Sequence, residues 1–295
     1  MNWTQLKQRL DDYEKLMRLD KPIGILLLLW PTLWGLWIAA YGTPGWMLIW
    51  IFVFGTVLMR SAGCVINDYA DRDIDPHVAR TKQRPLAARR VTTKETLLLA
   101  GTLSICAFLL IWPLNALTKW LSVPALLLAA SYPFTKRFLA IPQAYLGIAF
   151  SFGIPMTFAA AQDRVPLLAW MLVLVNIFWV IAYDTAYAMV DREDDLKIGI
   201  KTSAITFGNK DVAAIVICHL LFLAGMAVIG HLIRMSWVYY TCLGLALALV
   251  GYQYYLIKDR IPERCFRAFL DNNWIGLTIF VGTFLHYLLI NKRFW

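Results

Sequence analysis

A chain of 295 residues that is 60% hydrophobic and only 16% charged lies outside the composition of soluble domains, in which about a quarter of residues carry charge. Its formal charge of +9 invites a nucleic-acid reading, but the basic residues lie between apolar runs and form no continuous basic domain, which excludes that partner. Repeated apolar runs of about 20 residues indicate instead an all-α polytopic membrane protein.

In chain order, residues 1–22 contain Asp11, Asp12 and Glu14 and read as an amphipathic cytoplasmic lead-in, not a cleaved signal. Nine spans follow, over 23–41, 46–66, 96–113, 120–136, 141–160, 167–187, 212–233, 237–256 and 271–290. Pro124, Pro133, Pro142 and Pro155 interrupt or flank the fourth and fifth, which a bundle tolerates where neighbouring helices satisfy the freed carbonyls. The nearly continuous series predicts one transmembrane domain, 1–295, built as a compact helical bundle. Trp30, Trp34 and Trp37 stand at helical spacing and are expected to anchor at the interface or pack. The five cysteines contain no CxxC pair and suggest neither a disulfide framework nor a zinc site.

Orientation follows from the connections. The lead-in, 67–95, Lys136 with Arg137, 188–211 and 257–270 share one face and hold 22 of the 28 Lys and Arg residues. Lys119, Arg164, Arg234, Lys292 and Arg293 fall on the other. This asymmetry predicts an N-terminus in the cytoplasm and a C-terminus on the opposite side of the membrane.

Two acidic clusters share the cytoplasmic face. In "VINDYADRDIDPHVARTKQRPL" (65–86), Asp68, Asp71 and Asp75 fall at i, i+3 and i+7, one face of a helix. In "VIAYDTAYAMVDREDDLKIG" (180–199), Asp184, Tyr187, Asp191 and Asp195 fall at i, i+3, i+7 and i+11. Asp184 and Asp191 each lie 116 residues after Asp68 and Asp75, at the ends of even-numbered spans. The placement reads as a parallel duplication of a four-helix unit with a ninth helix appended, a 4+4+1 pseudo-repeat.

Opposed carboxylates repel, so the clusters call for a cation. Mg²⁺ takes oxygen ligands and is held through a few carboxylates together with substrate phosphates. A diphosphate is the fitting partner, with Lys82, Arg84 and Lys201 as the strongest candidates to cover its remaining oxygens. Arg72, Arg192 and Lys197 are further candidates. The bland alternative is a solvated membrane-edge face or salt-bridge network, but two sets at matched depth beside apolar walls favour function. With an isoprenoid diphosphate, Mg²⁺ would assist loss of the diphosphate while the tail lies in a groove open to membrane lipid.

On "NDYADRDID" (67–75), "RTKQRPL" (80–86), "DTAYAMVDREDD" (184–195) and "KIGIKTSAITFG" (197–208), the whole chain resembles the intramembrane aromatic prenyltransferase superfamily. "RLDKPIG" (18–24) resembles its hydroxybenzoate branch, which serves ubiquinone biosynthesis. The resemblance implies nine helices around a central cavity, Mg²⁺ dependence, and a cytoplasm-facing site where 67–95 and 188–211 form active-site loops. It implies transfer of a polyprenyl group from polyprenyl diphosphate to 4-hydroxybenzoate, ortho to the hydroxyl. Asn67, Asp68, Asp71 and Asp75 match its first motif, and Asp184, Tyr187, Asp191 and Asp195 its second. The six aspartates are the implied metal ligands, Asn67 and Tyr187 diphosphate contacts, and Asp71, Asp75 and Asp191 the catalytic set. Asp191 either helps remove the acceptor's proton or is purely a ligand. Arg137 is the first choice for the acceptor carboxylate and Arg60 the second.

Another aromatic acceptor would suit the same machinery. A CDP-alcohol phosphotransferase lacks support because no DGxxAR element occurs. A cation transporter would place acids along a route between the two faces, whereas here they concentrate at one.

Overall fold

The apolar runs fold as helices, and no strand occurs among the described residues. The computed structural model describes residues 3–78 and 80–291; Lys292 and Arg293, assigned above to the outer face, lie outside the described residues. The helices are α1 (Trp3–Met17), α2 (Ile23–Ala39), α3 (Trp46–Ala70), α4 (Thr93–Leu110), α5 (Ala116–Thr135), α6 (Pro142–Ser151) and α7 (Gly153–Gln162). They continue with α8 (Leu167–Ala188), α9 (Arg192–Ile198), α10 (Ser203–Phe207), α11 (Asp211–Leu232), α12 (Trp237–Ile257) and α13 (Pro262–Asn291).

Seven stretches are long and apolar enough to cross a membrane: Trp46–Ala70, Thr93–Leu110, Pro142–Gln162, Leu167–Ala188, Ser203–Leu232, Trp237–Ile257 and Pro262–Ile290. Nine are predicted from sequence. The other two predicted positions are helical, but α2 has only 17 residues and α5, which carries Pro124 and Pro133, is not among the seven.

Neither acidic motif lies on one continuous helix, contrary to the expected helical stripes. The second span, α3, runs on to Ala70, so Asn67 and Asp68 occupy its last turn; Asp71 caps it, and Asp75 begins a short 3₁₀ turn. Pro76 gives the physical reason. In an uninterrupted helix it would lack the N–H for its hydrogen bond and its ring would strike the carbonyl of Arg72. The second motif breaks after Ala188 and restarts at Arg192, with Glu193, Asp194 and Asp195 in the first turn of α9, where the helix dipole favours negative charge. Gly199, at φ +73°, ends that helix in the left-handed conformation. After the first loop, Thr92 and Glu95 form a reciprocal capping box that restarts the chain as α4.

The core forms where α8 packs against α6, α11 and α13. Trp34, Trp179 and Phe222 are all fully buried, with ring centroids 5.4 to 5.8 Å apart. Buried indoles need partners for their N–H groups. Trp34 donates to the Gly276 carbonyl at 3.2 Å and Trp179 to Asn272 Oδ1 at 3.1 Å. Trp30 donates to Asn273 Oδ1 at 2.8 Å. Of the two roles expected for Trp34, packing is the one observed.

This close approach requires glycine on α13. A Cβ at Gly276 would sit 2.5 Å from Trp30 Cδ1 and 2.7 Å from Trp179 Cη2. Gly276→Val is therefore expected to lower stability by at least about 1–3 kcal/mol through overpacking. Thermal melting of the detergent-solubilised protein checks this; an unchanged midpoint would contradict the packing.

Candidate active site

A cavity of about 1290 Å³ opens at the end of the bundle that carries both acidic motifs. Its lining is largely apolar and includes the aromatic Phe150, Phe152 and Phe269, while Asp68, Asp184 and Arg84 supply polar groups. The side chains of α1 also contribute, including Asp12 and Lys15. The lead-in is therefore part of the site and not merely its approach.

Asp68, Asp71 and Asp75 are buried at 1%, 3% and 5% exposure, so each needs a compensating partner. Arg18 forks onto Asp68, with Nη2 2.7 Å from Oδ1 and 3.0 Å from Oδ2. Arg84 Nη1 bridges two acids, 3.1 Å from Asp68 Oδ1 and 2.9 Å from Asp75 Oδ2. Lys136 pairs with Asp71 Oδ2, to which Asn67 Nδ2 also donates at 3.2 Å. The other oxygen, Asp71 Oδ1, is buried without a hydrogen-bond partner. Burial pushes the Asp71 carboxyl up from its ordinary range, and Lys136 offsets only part of that effect.

The second motif meets the first through Arg80. Its Nε lies 2.9 Å from Asp191 Oδ1, its Nη2 pairs with Oδ2, and its guanidinium sits over the Tyr187 ring, 4.8 Å from the centroid. Tyr187 in turn packs against Phe269 at 4.7 Å. Asp184 lines the cavity from the last turns of α8. Asp195 is half-buried on α9; burial, and then the neighbouring Asp191 charge, push its carboxyl up to about 7.

The cations on the carboxylates are thus Arg18, Arg80, Arg84 and Lys136. Of these, only Arg84 is among the residues expected from sequence at the site, and there as a diphosphate contact rather than a carboxylate partner. Lys82 is exposed, and Lys201 is exposed with Nζ donating to the Phe138 carbonyl at 3.1 Å; neither lines the cavity. Arg192 is drawn away to Asp211. Arg18 lies within the "RLDKPIG" stretch, and Lys136 closes α5 on the acidic face, which is the signal each offered.

The two acceptor candidates separate clearly. Arg60 lines the cavity, with Nε donating to the Gly24 carbonyl at 3.2 Å, Nη1 2.6 Å from Cys64 Sγ, and the guanidinium 5.6 Å from the Phe150 centroid. Arg137 is exposed outside it and donates to the Ala70 carbonyl at 2.9 Å.

Among the described residues, no three His, Cys, Asp or Glu side chains converge closely enough to hold a metal ion. Four of the six expected carboxylates, Asp68, Asp71, Asp75 and Asp191, pair with basic side chains of the chain. Their oxygen chemistry and the orphaned Asp71 Oδ1 nevertheless fit a hard divalent cation.

The UbiA prenyltransferase family model matches residues 28–285. The chain belongs to the UbiA prenyltransferase family. It is 61% identical over 296 residues to 4-hydroxybenzoate octaprenyltransferase of Dechloromonas aromatica, covering 100% of both chains. It is 67% identical over 284 residues to the enzyme of the same name from Nitrosospira multiformis, covering 96% of this chain and 98% of that one. The fold is similar to that of an apo UbiA homolog from Aeropyrum pernix K1, with a TM-score of 0.78 at 22% identity over 90% of this chain and 98% of that chain. It is also similar to a UbiA homolog from Archaeoglobus fulgidus bound to GPP and Mg²⁺, with a TM-score of 0.72 at 16% identity over 94% and 99%.

Because Arg84 serves two buried carboxylates, Arg84→Ala is expected to destabilise the ligand-free protein by about 3–5 kcal/mol, the cost typical of stranding a buried charge. Arg84→Lys keeps the charge and should recover part of it. Melting of the purified variants checks both; an Ala variant as stable as the parent would refute the bridging role.

Proposed function

We propose that this chain transfers a polyprenyl group from polyprenyl diphosphate to the ring carbon ortho to the hydroxyl of 4-hydroxybenzoate, releasing diphosphate, as a Mg²⁺-dependent step of ubiquinone biosynthesis. The observation that carries the reading is identity above 60% over essentially the whole chain to enzymes of that named activity. The cavity, apolar within and charged at its mouth, supports it. The relatives transfer an octaprenyl group, so the eight-unit donor is the first to test.

In this reading Asp68, Asp71, Asp75, Asp184, Asp191 and Asp195 hold Mg²⁺, which when bound offsets the charge developing on the departing diphosphate. Arg18, Arg80, Arg84 and Lys136 cap carboxylates in the ligand-free protein; with diphosphate in place, their donors turn to its oxygens, beside Asn67 and Tyr187. Lys82 and Lys201 would reach it only if their loops move inward. Phe150, Phe152 and Phe269 present aromatic faces that stabilise the allylic cation as its C–O bond breaks. Arg60 takes the acceptor carboxylate in preference to Arg137, because its guanidinium lines the cavity. The new C–C bond forms ortho to the phenol, and the ring proton leaves to a carboxylate, with Asp191 first and Asp71 or Asp75 as alternatives.

The same reading takes α2 and α5 as two further spans, giving nine in a 4+4+1 arrangement within one domain, 1–295. The loops 67–95 and 188–211 then face the cytoplasm with the N-terminus, and the C-terminus is periplasmic in the inner membrane.

Lipid-reconstituted protein given Mg²⁺, octaprenyl diphosphate and 4-hydroxybenzoate should yield a singly prenylated product by mass spectrometry. Product should be absent with EDTA and at least about a hundredfold slower with Asp191→Ala, the scale of a lost acid–base group. Prenylation of a different aromatic acid alone would overturn the acceptor; no prenylation of any aromatic acceptor would overturn the enzyme reading.

The pH dependence has a defined sign. Below about 7 Asp195 is protonated and a poor ligand, so the Mg²⁺ concentration for half-maximal rate should rise towards roughly tenfold per pH unit as pH falls below 7. Without the cation, the raised carboxyl favours folding at low pH, and that contribution is lost as pH rises through 7. Asp195→Asn should flatten both profiles, which titration of rate and of melting midpoint would measure.

A further inference from the structure

A second cluster of charge lies behind the second motif, outside the cavity. Asp211, the first residue of α11, is fully buried and accepts from two arginines. Arg192 Nη2 lies 2.9 Å from its Oδ2, and Arg260 Nη2 lies 2.7 Å from its Oδ1 with Nε at 3.0 Å. The Val212 amide also donates to Oδ1, at 2.7 Å.

The arginines reach further. Arg192 donates to the carbonyls of Ala204 and Gly208, the latter at 2.9 Å, and Arg260 donates to the Asn209 carbonyl at 2.7 Å. Both guanidiniums therefore close the turn between α10 and α11 onto one carboxylate. A buried carboxylate with two bound guanidiniums tolerates little displacement, because moving either one strands charge.

Arg192 directly follows Asp191 and opens α9, the helix that carries Asp195. Arg260 precedes α13, whose Phe266 and Phe269 pack on Tyr187. We infer that Asp211 is a positioning residue that holds Arg192, and through it the backbone at the start of α9 from which Asp191 and Asp195 turn to a divalent cation. Asp211 is absent from the cavity wall. The inference rests on the reading of Asp191 and Asp195 as ligands, and it explains why Arg192 is withheld from the diphosphate.

The test uses the full-length protein in detergent without substrates, with Mn²⁺ as a paramagnetic stand-in for Mg²⁺. Asp211→Asn keeps the side-chain shape but removes its charge. Asp259→Asn alters an exposed ion pair with Arg264 and serves as control. Asp211→Asn should weaken Mn²⁺ binding by about tenfold or more, the scale of losing an outer-shell partner. It should also accelerate hydrogen exchange across 192–198 in the metal-free protein, while Asp259→Asn changes neither. If Asp211→Asn does not fold, Arg192→Lys replaces it, since an ammonium keeps the charge but loses the fork that meets Asp211 and two carbonyls. Unchanged Mn²⁺ affinity and unchanged exchange, even with a lowered melting midpoint, would overturn the inference. Failure of the parent protein to bind Mn²⁺ would count against the ligand reading instead, leaving hydrogen exchange to decide whether Asp211 holds α9.

Discussion

The acidic end of this helical bundle is organised by the need to neutralise carboxylates buried beside a membrane. An isolated buried carboxylate is far costlier than a paired one, and Asp68, Asp71 and Asp75 are all nearly inaccessible. Their partners come from distant parts of the chain: Arg18 from just beyond α1, Arg84 from the first loop, and Lys136 from the end of α5. Arg80 then joins the first loop to Asp191 on the second motif. Electrostatic pairing thus gathers segments that hydrophobic packing alone would leave unregistered.

Below this charged mouth the forces change. The stack of Trp34, Trp179 and Phe222 fixes α2, α8 and α11, and the glycine on α13 lets that helix approach the indoles. Rigid packing there gives the motif at the end of α8 a firm base. The site consequently joins two environments: a charged rim suited to diphosphate and an aromatic interior suited to an isoprenoid tail. Arg60 is a cation on the wall of that same cavity, which is why we propose it, and not the exposed Arg137, for the acceptor carboxylate.

Much of this was legible in the sequence because hydropathy follows directly from the membrane's demand for internally satisfied helices. The two acidic motifs were legible because carboxylates among apolar runs require a reason. Their local form was less so: i, i+3 and i+7 spacing suggests one helical face, but Pro76 ends that possibility and the chain closes the acids together by turning. Cation partners were harder still. Arg18 is 50 residues from Asp68 and Lys136 is 65 from Asp71, separations no local period encodes. Lys82 and Lys201 have suitable chemistry and sequence position, yet side-chain direction puts both outside the cavity. Asp211 carries no motif at all; only its burial between two arginines reveals it.

The central claim is that the chain's own cations hold the carboxylates until diphosphate and metal exchange them. The most direct measurement is a cryo-EM structure in lipid with Mg²⁺ and an unreactive polyprenyl thiolodiphosphate. The account predicts that Arg80 and Arg84 contact diphosphate oxygens, while carboxylates of both motifs converge on Mg²⁺. Retention of Arg80 on Asp191 and of Arg84 across Asp68 and Asp75, with the diphosphate bound elsewhere, would contradict it.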